Sequence, residues 1–269
     1  MKTKSLLQYF YLATCTILLL CLCSSCTKDD PPVIPEENNG HIQLVFAHYV
    51  DGVPLQKDTM KFTNEAGNNY EINEIKYFIS DVVFYAAGGQ AKPVTSRAIK
   101  YIDMDIPSTL IWNIDDAFPA GTYDSIAFRF GITKAKNISY MFVNPPEVNL
   151  TWPEILGGGY HLMMINGKFK DSIQQIENFN SHIGLGRVIT ANDTTFVDNS
   201  FPVKLLNSNF TLTKNNTAKI QIIMNIESWY KTPIIYDHNH YGQMIMQNQD
   251  AMHILSANGF DVFSVGYKE

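Results

Sequence analysis

The chain has 269 residues, of which 12% are aromatic and 17% are charged, and its formal net charge is −6. This composition favours strands over long helices or disorder, and the length fits one β domain. The acidic balance and the lack of any extended Lys/Arg run exclude an electrostatic footprint for DNA or RNA, so we expect no nucleic-acid partner.

Cysteine occurs only near the N-terminus. The four cysteines, Cys15, Cys21, Cys23 and Cys26, lie inside or at the end of an apolar segment. The rest of the chain has none, which excludes disulfides, thiolate nucleophiles and cysteine-based zinc sites there. Core packing must therefore hold the folded part together.

The N-terminal segment has the pattern of a secretory leader. Lys2 and Lys4 precede an apolar run over residues 5–22, and small polar residues follow it. We therefore predict a lipoprotein signal peptide at residues 1–25. The alternative is a transmembrane anchor, for which a run of about 18 residues is barely long enough.

The end of this leader resembles a bacterial lipobox, because the pair Ser24-Ser25 is followed by Cys26. Cys26 is then the lipidated mature N-terminus, and removal of the leader changes the formal net charge from −6 to −8. The Lys-Asp-Asp run at 28–30 resembles the surface-export signal of Bacteroidota lipoproteins, with an ordinary polar tether as the alternative. Residues 26–40 are polar and proline-rich, as expected for a flexible tether. We expect an outer membrane lipoprotein, surface-exposed or periplasm-facing.

Residues 41–269 read as a single folded domain. Alternating apolar residues predict short strands with Gly, Pro, Asn or Asp between them, as at 41–50 and 123–132. His48 falls on the apolar side of its strand, where it is either a core histidine or a ligand. A helical period appears only at 247–257. The prediction is an all-β fold, an antiparallel β-sandwich-like single domain with one short helix near the C-terminus.

The stretch 152–186 contains a tryptophan, three consecutive glycines, two histidines and a pair of adjacent methionines. Three glycines at 157–159 allow backbone conformations that a side chain forbids. We predict a strand at 160–165, followed by a tight hairpin turn at Asn166-Gly167.

Histidine and methionine are the chemistry-bearing residues that remain, since the sequence motifs of hydrolases, metalloproteases and nucleotide-binding proteins are missing. His161 and His182 both fall off the main apolar faces of their strands, and the sequence leaves open whether they meet. Imidazole and thioether together favour copper over hard cations. A third donor would be His48 or a methionine such as Met163. Residues 238–240, His-Asn-His, are either a chelating strand or polar surface.

A succession of motifs is similar to the MbnP-like domain family, named for a periplasmic protein linked to methanobactin, a copper chelator. The resemblance covers residues 41–229 and is carried by the segments 48–52 (HYVDG), 74–81 (EIKYFISD), 119–123 (PAGTY) and 182–184 (HIG), with Trp152, Gly159, Tyr160 and Gly167.

This resemblance implies an extracytoplasmic β-rich protein. In the studied branch it also implies copper held by two histidines and kynurenine, an oxidised tryptophan two residues before one histidine. Here Trp152 is the candidate aromatic or modified residue, but Pro153 and Glu154 follow it, so a Trp-x-His spacing is missing.

Two functional hypotheses follow. The first is a copper-handling lipoprotein without catalysis, built around His161 and His182 with His48 or Trp152 nearby, and with a partner lipoprotein or transporter. The second is a non-metal binding module that captures a glycan, a peptide or a partner lipoprotein through exposed tryptophans. The candidates for that role are Trp112, Trp152 and Trp229. An enzyme is not expected.

Lipidation gives a direct test of the leader. A Cys26→Ala variant should leave the membrane fraction, because no other cysteine follows a suitable small-residue pair. Fractionation of cells that express the wild type and the variant measures this. A variant that stays membrane-bound and unprocessed would identify the segment as a transmembrane anchor.

Overall fold

The computed structural model describes residues 37–269. The leader, Cys26, the 28–30 segment and nearly all of the tether lie outside this range, so those assignments remain predictions. No helix within residues 37–269 is both long and apolar enough to cross a membrane.

The described residues form sixteen strands, which are in chain order β1 (Asn39–Val50), β2 (Val53–Pro54), β3 (Phe62–Thr63), β4 (Asn69–Ala86), β5 (Gln90–Pro93), β6 (Ile99–Asp103), β7 (Ile111–Pro119), β8 (Gly121–Phe130), β9 (Met163–Lys170), β10 (Ile176–Ile183), β11 (Gly186–Ile189), β12 (Thr194–Val197), β13 (Phe201–Lys204), β14 (Phe210–Leu212), β15 (Thr217–Asn225) and β16 (Phe263–Lys268). The α-helices are α1 (His238–Tyr241) and α2 (Gln249–Asn258). Short 3-10 turns occupy Pro107–Thr109, Glu147–Leu150, Glu154–Leu156, Ile226–Tyr230 and Gly259–Asp261.

The strands form two main sheets. The smaller sheet has the order β16-β15-β1-β2, with β7 also paired to β1. Its β1–β15 pair is parallel, whereas its other pairs are antiparallel. The larger sheet has the order β10-β9-β4-β8-β13 and carries β3, β5 and β6 on β4 and β14 on β8. The predicted all-β, sandwich-like fold is confirmed, with α2 as its short helix near the C-terminus.

Aromatic side chains fill the space between the two sheets. Phe263 of the smaller sheet packs edge-on against Phe128 at a centroid distance of 5.2 Å and also contacts Tyr77 at 6.2 Å. His48 points into the same layer from β1, and its ring is 5.8 Å from that of Tyr77. His48 therefore lies on the inner face of the sandwich.

The register of β4, β9 and β10 separates an inner face from an outer face. Tyr77, Met163 and Ile183 lie directly opposite one another across the three strands. Since Tyr77 contacts the smaller sheet, all three face the core. Their neighbours Met164 and His182 are also paired with each other, and strand alternation directs them to the outer face.

The hairpin predicted at Asn166-Gly167 is wrong. Both residues lie inside β9 and pair with β10 on one side and β4 on the other. The chain instead reverses after Asp171, whose amide donates to the carbonyl oxygen of Gln175 at 2.9 Å.

Close packing explains the glycine in mid-strand. A Cβ atom at position 167 would lie 2.1 Å from the carbonyl oxygen of Glu71 and 2.6 Å from the ring of Phe179. Gly167 lets that ring lie directly on the backbone of β9, so the glycine serves interstrand packing and not a turn.

A Gly167→Ala variant should lose about 3 kcal/mol or more in the free energy of unfolding, because a backbone carbonyl cannot move aside as a flexible side chain can. Gly52→Ala is the matched control, since Gly52 has a φ of +77° and no atom within 4 Å of a Cβ. Its cost should be only the strain of a left-handed residue, about 1–2 kcal/mol. Urea denaturation of both variants decides the matter, and equal losses would contradict this account.

Candidate metal centre

A closed loop brings His161 to the outer face of the larger sheet. The glycines at 157–159 have φ values of +113°, +69° and +81°, as their predicted role requires. They fold the chain back on itself, so that the Trp152 amide donates to the Gly159 carbonyl and the His161 amide donates to the Leu150 carbonyl, both at 2.8 Å.

The predicted strand at 160–165 is only partly formed, because β9 begins at Met163. His161 and Leu162 precede that strand and have irregular backbone. In a regular strand His161 would share the inner face of Met163, away from His182. The irregular entry removes that restriction, and the two imidazoles lie together.

The His161 ring contacts two other rings at this position. The His161 and His182 centroids are 5.1 Å apart with an interplanar angle of 81°, and the Trp152 ring lies 4.7 Å from that of His161 at an angle of 85°. The Trp152 indole covers Gly184, where a Cβ would fall 2.4 Å from an indole carbon. Its Nε1 donates to the carbonyl oxygen of Leu156 at 3.2 Å.

Each imidazole uses one nitrogen for a hydrogen bond within the fold. His161 Nδ1 donates to the Leu150 carbonyl at 2.9 Å, and His182 Nε2 lies 2.7 Å from Asn166 Oδ1. The other two nitrogens, His161 Nε2 and His182 Nδ1, are buried and have no hydrogen-bond partner within residues 37–269. We call these two atoms the open nitrogens.

Burial keeps both rings neutral. Desolvation lowers the pKa of His161 to about 4, against a smaller opposite effect of the Leu150 and Thr151 backbone. Desolvation, followed by the nearby His161, lowers the pKa of His182 to about 3. At neutral pH each open nitrogen therefore carries a lone pair, which is the form that binds a metal ion.

The other proposed ligands lie elsewhere. His48 and Met163 face the inside of the sandwich, so the sheet separates them from His182. In the part of the chain that the structure describes, no group of three or more His, Cys, Asp or Glu side chains could hold a metal ion. The structure thus brings together His161 and His182, adds Trp152 beside them, and leaves His48 out.

Comparison with known proteins identifies the family. The MbnP family profile matches residues 39–248, which is most of the chain. The chain belongs to the MbnP family. Its structure is similar to that of MbnP from Methylosinus trichosporium, with a TM-score of 0.56 and 14% sequence identity, over 85% of this chain and 98% of that one. None of the curated proteins compared with the chain matches it.

Two residues near the histidine pair, Asn166 and Glu74, were missed from the sequence, and Met164 rather than Met163 is the methionine that faces the pair. Met164 lies opposite His182, Asn166 bonds the His182 ring, and Glu74 accepts a hydrogen bond from Asn166 Nδ2 at 2.6 Å. The assignment of Asn166 to a turn hid the signal. Once β9 is continued through Gly167, alternation places Met164 and Asn166 on one face.

The expected exposure of the three tryptophans is wrong. Trp112 is 4% exposed, and Trp152 and Trp229 are fully buried. An apolar ring in a β-rich chain fills the core as readily as it forms a binding surface. The binding-module hypothesis therefore loses the side chains on which it depended.

The His-Asn-His segment is neither a chelating strand nor wholly surface. It forms α1, in which alternate residues point in different directions, and His238 is buried whereas His240 is exposed. The His238 ring stacks on Phe179 at 4.2 Å. Among the described residues neither of its ring nitrogens has a hydrogen-bond partner, and burial lowers its pKa to about 3.

A broad surface depression lies away from the histidine pair. It has a volume of about 760 Å³ over β4, β8 and β13, and Tyr85, Arg129 and Lys204 contribute to its lining. Its lining carries charged groups of both signs and includes neither His161 nor His182. We therefore place the candidate site at the imidazoles and not at the depression.

The buried His238 makes stability depend on pH. Above pH 6.5 the ring is neutral in both the folded and the unfolded chain and contributes nothing. Below pH 6.5 the unfolded chain takes up a proton that the folded chain refuses, so stability falls by about 1.4 kcal/mol per pH unit down to a pH near the folded pKa.

A His238→Phe variant should be at least as stable as the wild type at pH 8, since an apolar ring leaves no nitrogen unsatisfied. Between pH 8 and pH 5.5 the wild type should lose about 1.4 kcal/mol more than the variant. Urea denaturation at both pH values measures the difference, with the exposed His253→Gln as the surface control. Parallel losses in wild type and His238→Phe would refute the assignment.

Proposed function

We propose that the protein is a cell-envelope copper-binding protein that captures or passes on copper without catalysing a reaction. The observation that supports it best is the pair of open nitrogens on two neutral imidazoles in ring contact. Two ligands on one ion each lie about 2 Å from it. Rings whose centroids are 5.1 Å apart are close enough to meet this requirement.

The donor set favours copper in its reduced state. Because a third His, Cys, Asp or Glu is missing from the site in the described residues, a third donor must be of another kind. Met164 is opposite His182 in the register and partly buried. Two imidazoles with one thioether suit Cu(I), whereas hard cations prefer oxygen. The family resemblance supports the same metal.

The methionine pair gives a matched test of this assignment. Met163 and Met164 are adjacent, but the first faces the core and the second faces His182. Met164→Leu should weaken Cu(I) binding more than Zn(II) binding, because only the soft ion gains from the thioether. Met163→Leu should leave both affinities unchanged.

Removal of either imidazole should weaken Cu(I) binding more than the Met164→Leu substitution does. His161→Ala and His182→Ala should each lower Cu(I) affinity more than the 10–100-fold that loss of an outer partner causes, because a direct ligand is gone. Titration of the detergent-solubilised full-length protein against a chromophoric Cu(I) chelator measures this, with His253→Ala as the surface control. Thermal melts check that the variants stay folded. Unchanged copper binding in both variants would refute the site.

The predicted leader is the basis for a proposed location. We propose that lipid on Cys26 holds the domain at the outer membrane, surface-exposed or periplasm-facing, on the tether of residues 26–40. A copper carrier at that position would exchange its ion with a partner lipoprotein or a transporter. The resemblance to an extracytoplasmic family supports this location. Trp152, packed against His161, is the residue to examine for oxidative modification.

A further inference from the structure

A hydrogen-bonded series of polar side chains crosses three strands on the outer face. His182 Nε2 on β10 lies 2.7 Å from Asn166 Oδ1 on β9, and Asn166 Nδ2 donates to Glu74 Oε2 on β4 at 2.6 Å. Glu74 also forms an ion pair with Lys76. The order is fixed by the register, in which Glu74 lies directly opposite Asn166.

The hydrogen bonds from His182 through Asn166 to Glu74 can be donated in only one direction. A carboxylate accepts hydrogen bonds and donates none. Glu74 therefore requires the NH₂ group of Asn166, and the carbonyl oxygen of that side chain must face the imidazole. His182 must then donate from Nε2, which leaves Nδ1 without a proton.

We infer that Glu74 is a positioning residue that sets the tautomer of His182 through Asn166. The open nitrogen on Nδ1 is the result. This inference rests on the proposed function, because an unprotonated Nδ1 matters only if that nitrogen binds an ion. The direction of these hydrogen bonds does not itself depend on a metal.

The opposite tautomer would disrupt the contact between Asn166 and Glu74. If Nδ1 carried the proton, Nε2 would be an acceptor and would require the NH₂ group of Asn166. The side-chain carbonyl of Asn166 would then face the Glu74 carboxylate, and two acceptors would oppose each other without a proton between them. Glu74 and Asn166 would then lose the hydrogen bond that joins them in this partly buried contact.

The test is the tautomer of His182 in the metal-free, full-length protein in detergent. Long-range ¹H–¹⁵N correlation spectra distinguish a protonated from an unprotonated ring nitrogen, and a His182→Gln variant assigns the signals. In the wild type His182 should show a proton on Nε2 and none on Nδ1. A glutamine at position 74 both donates and accepts, so in Glu74→Gln Asn166 is free to turn and His182 should become a mixture of tautomers.

Two further variants separate this effect from general damage. Asn166→Leu removes the middle side chain of the hydrogen-bonded series and should also abolish the single tautomer of His182. Glu71→Gln removes a carboxylate from the same strand, where Glu71 accepts from Asn73 at 3.1 Å and lies 3.5 Å from Lys168. The Glu71→Gln protein should keep the wild-type tautomer.

Copper affinity gives the second readout. Glu74→Gln and Asn166→Leu should bind Cu(I) about 10-fold or more weakly, within the 10–100-fold range for loss of an outer partner, and Glu71→Gln should bind as the wild type does. A proton on Nδ1 in the wild type, or an unchanged tautomer in Glu74→Gln and Asn166→Leu, would overturn the inference. Wild-type protein with the expected tautomer but no copper binding would overturn the proposed function. The conclusion that Glu74 sets the His182 tautomer through Asn166 would remain valid.

Discussion

Strand alternation across β4, β9 and β10 is the constraint on which the site depends. The same three strands supply Tyr77, Met163 and Ile183 to the core and Met164 and His182 to the outer face. A shift of one residue in any of them would exchange the two sets. The buried inner residues therefore fix the position of the outer ones, and the candidate ligand His182 is held by a strand and not by a mobile loop.

The open nitrogens carry a cost that the rest of the fold must offset. A buried polar atom without a partner is destabilising by about 1–3 kcal/mol. Protonation of the ring does not lower this cost, because a desolvated charge would cost more. His161 and His182 each keep one unpartnered nitrogen, and the hydrogen bond of the other nitrogen orients each ring. A metal ion bound between the two rings, as proposed above, would satisfy both lone pairs at once.

The sequence predicted the strands well because alternation is a local property. It placed His48 on an apolar face and His182 off one. It left open whether His161 and His182 meet, because the irregular entry to β9 depends on the carbonyl of Leu150, 11 residues before His161. Gly167 was misread for a similar reason: the ring that requires a glycine there comes from another strand. Tryptophan exposure was misjudged because residue type alone does not distinguish a core ring from a surface ring.

The place of Glu74 shows how the site separates orientation from charge. A carboxylate bonded directly to His182 would favour the imidazolium form, raise the pKa and bring a proton into competition with a metal ion. Asn166 stands between the two and passes on only the direction of the hydrogen bond. The ring is oriented as a carboxylate would orient it, yet burial still lowers its pKa to about 3. The negative charge remains beside Lys76, so the His182 ring stays neutral, which is the form that the proposed copper site requires.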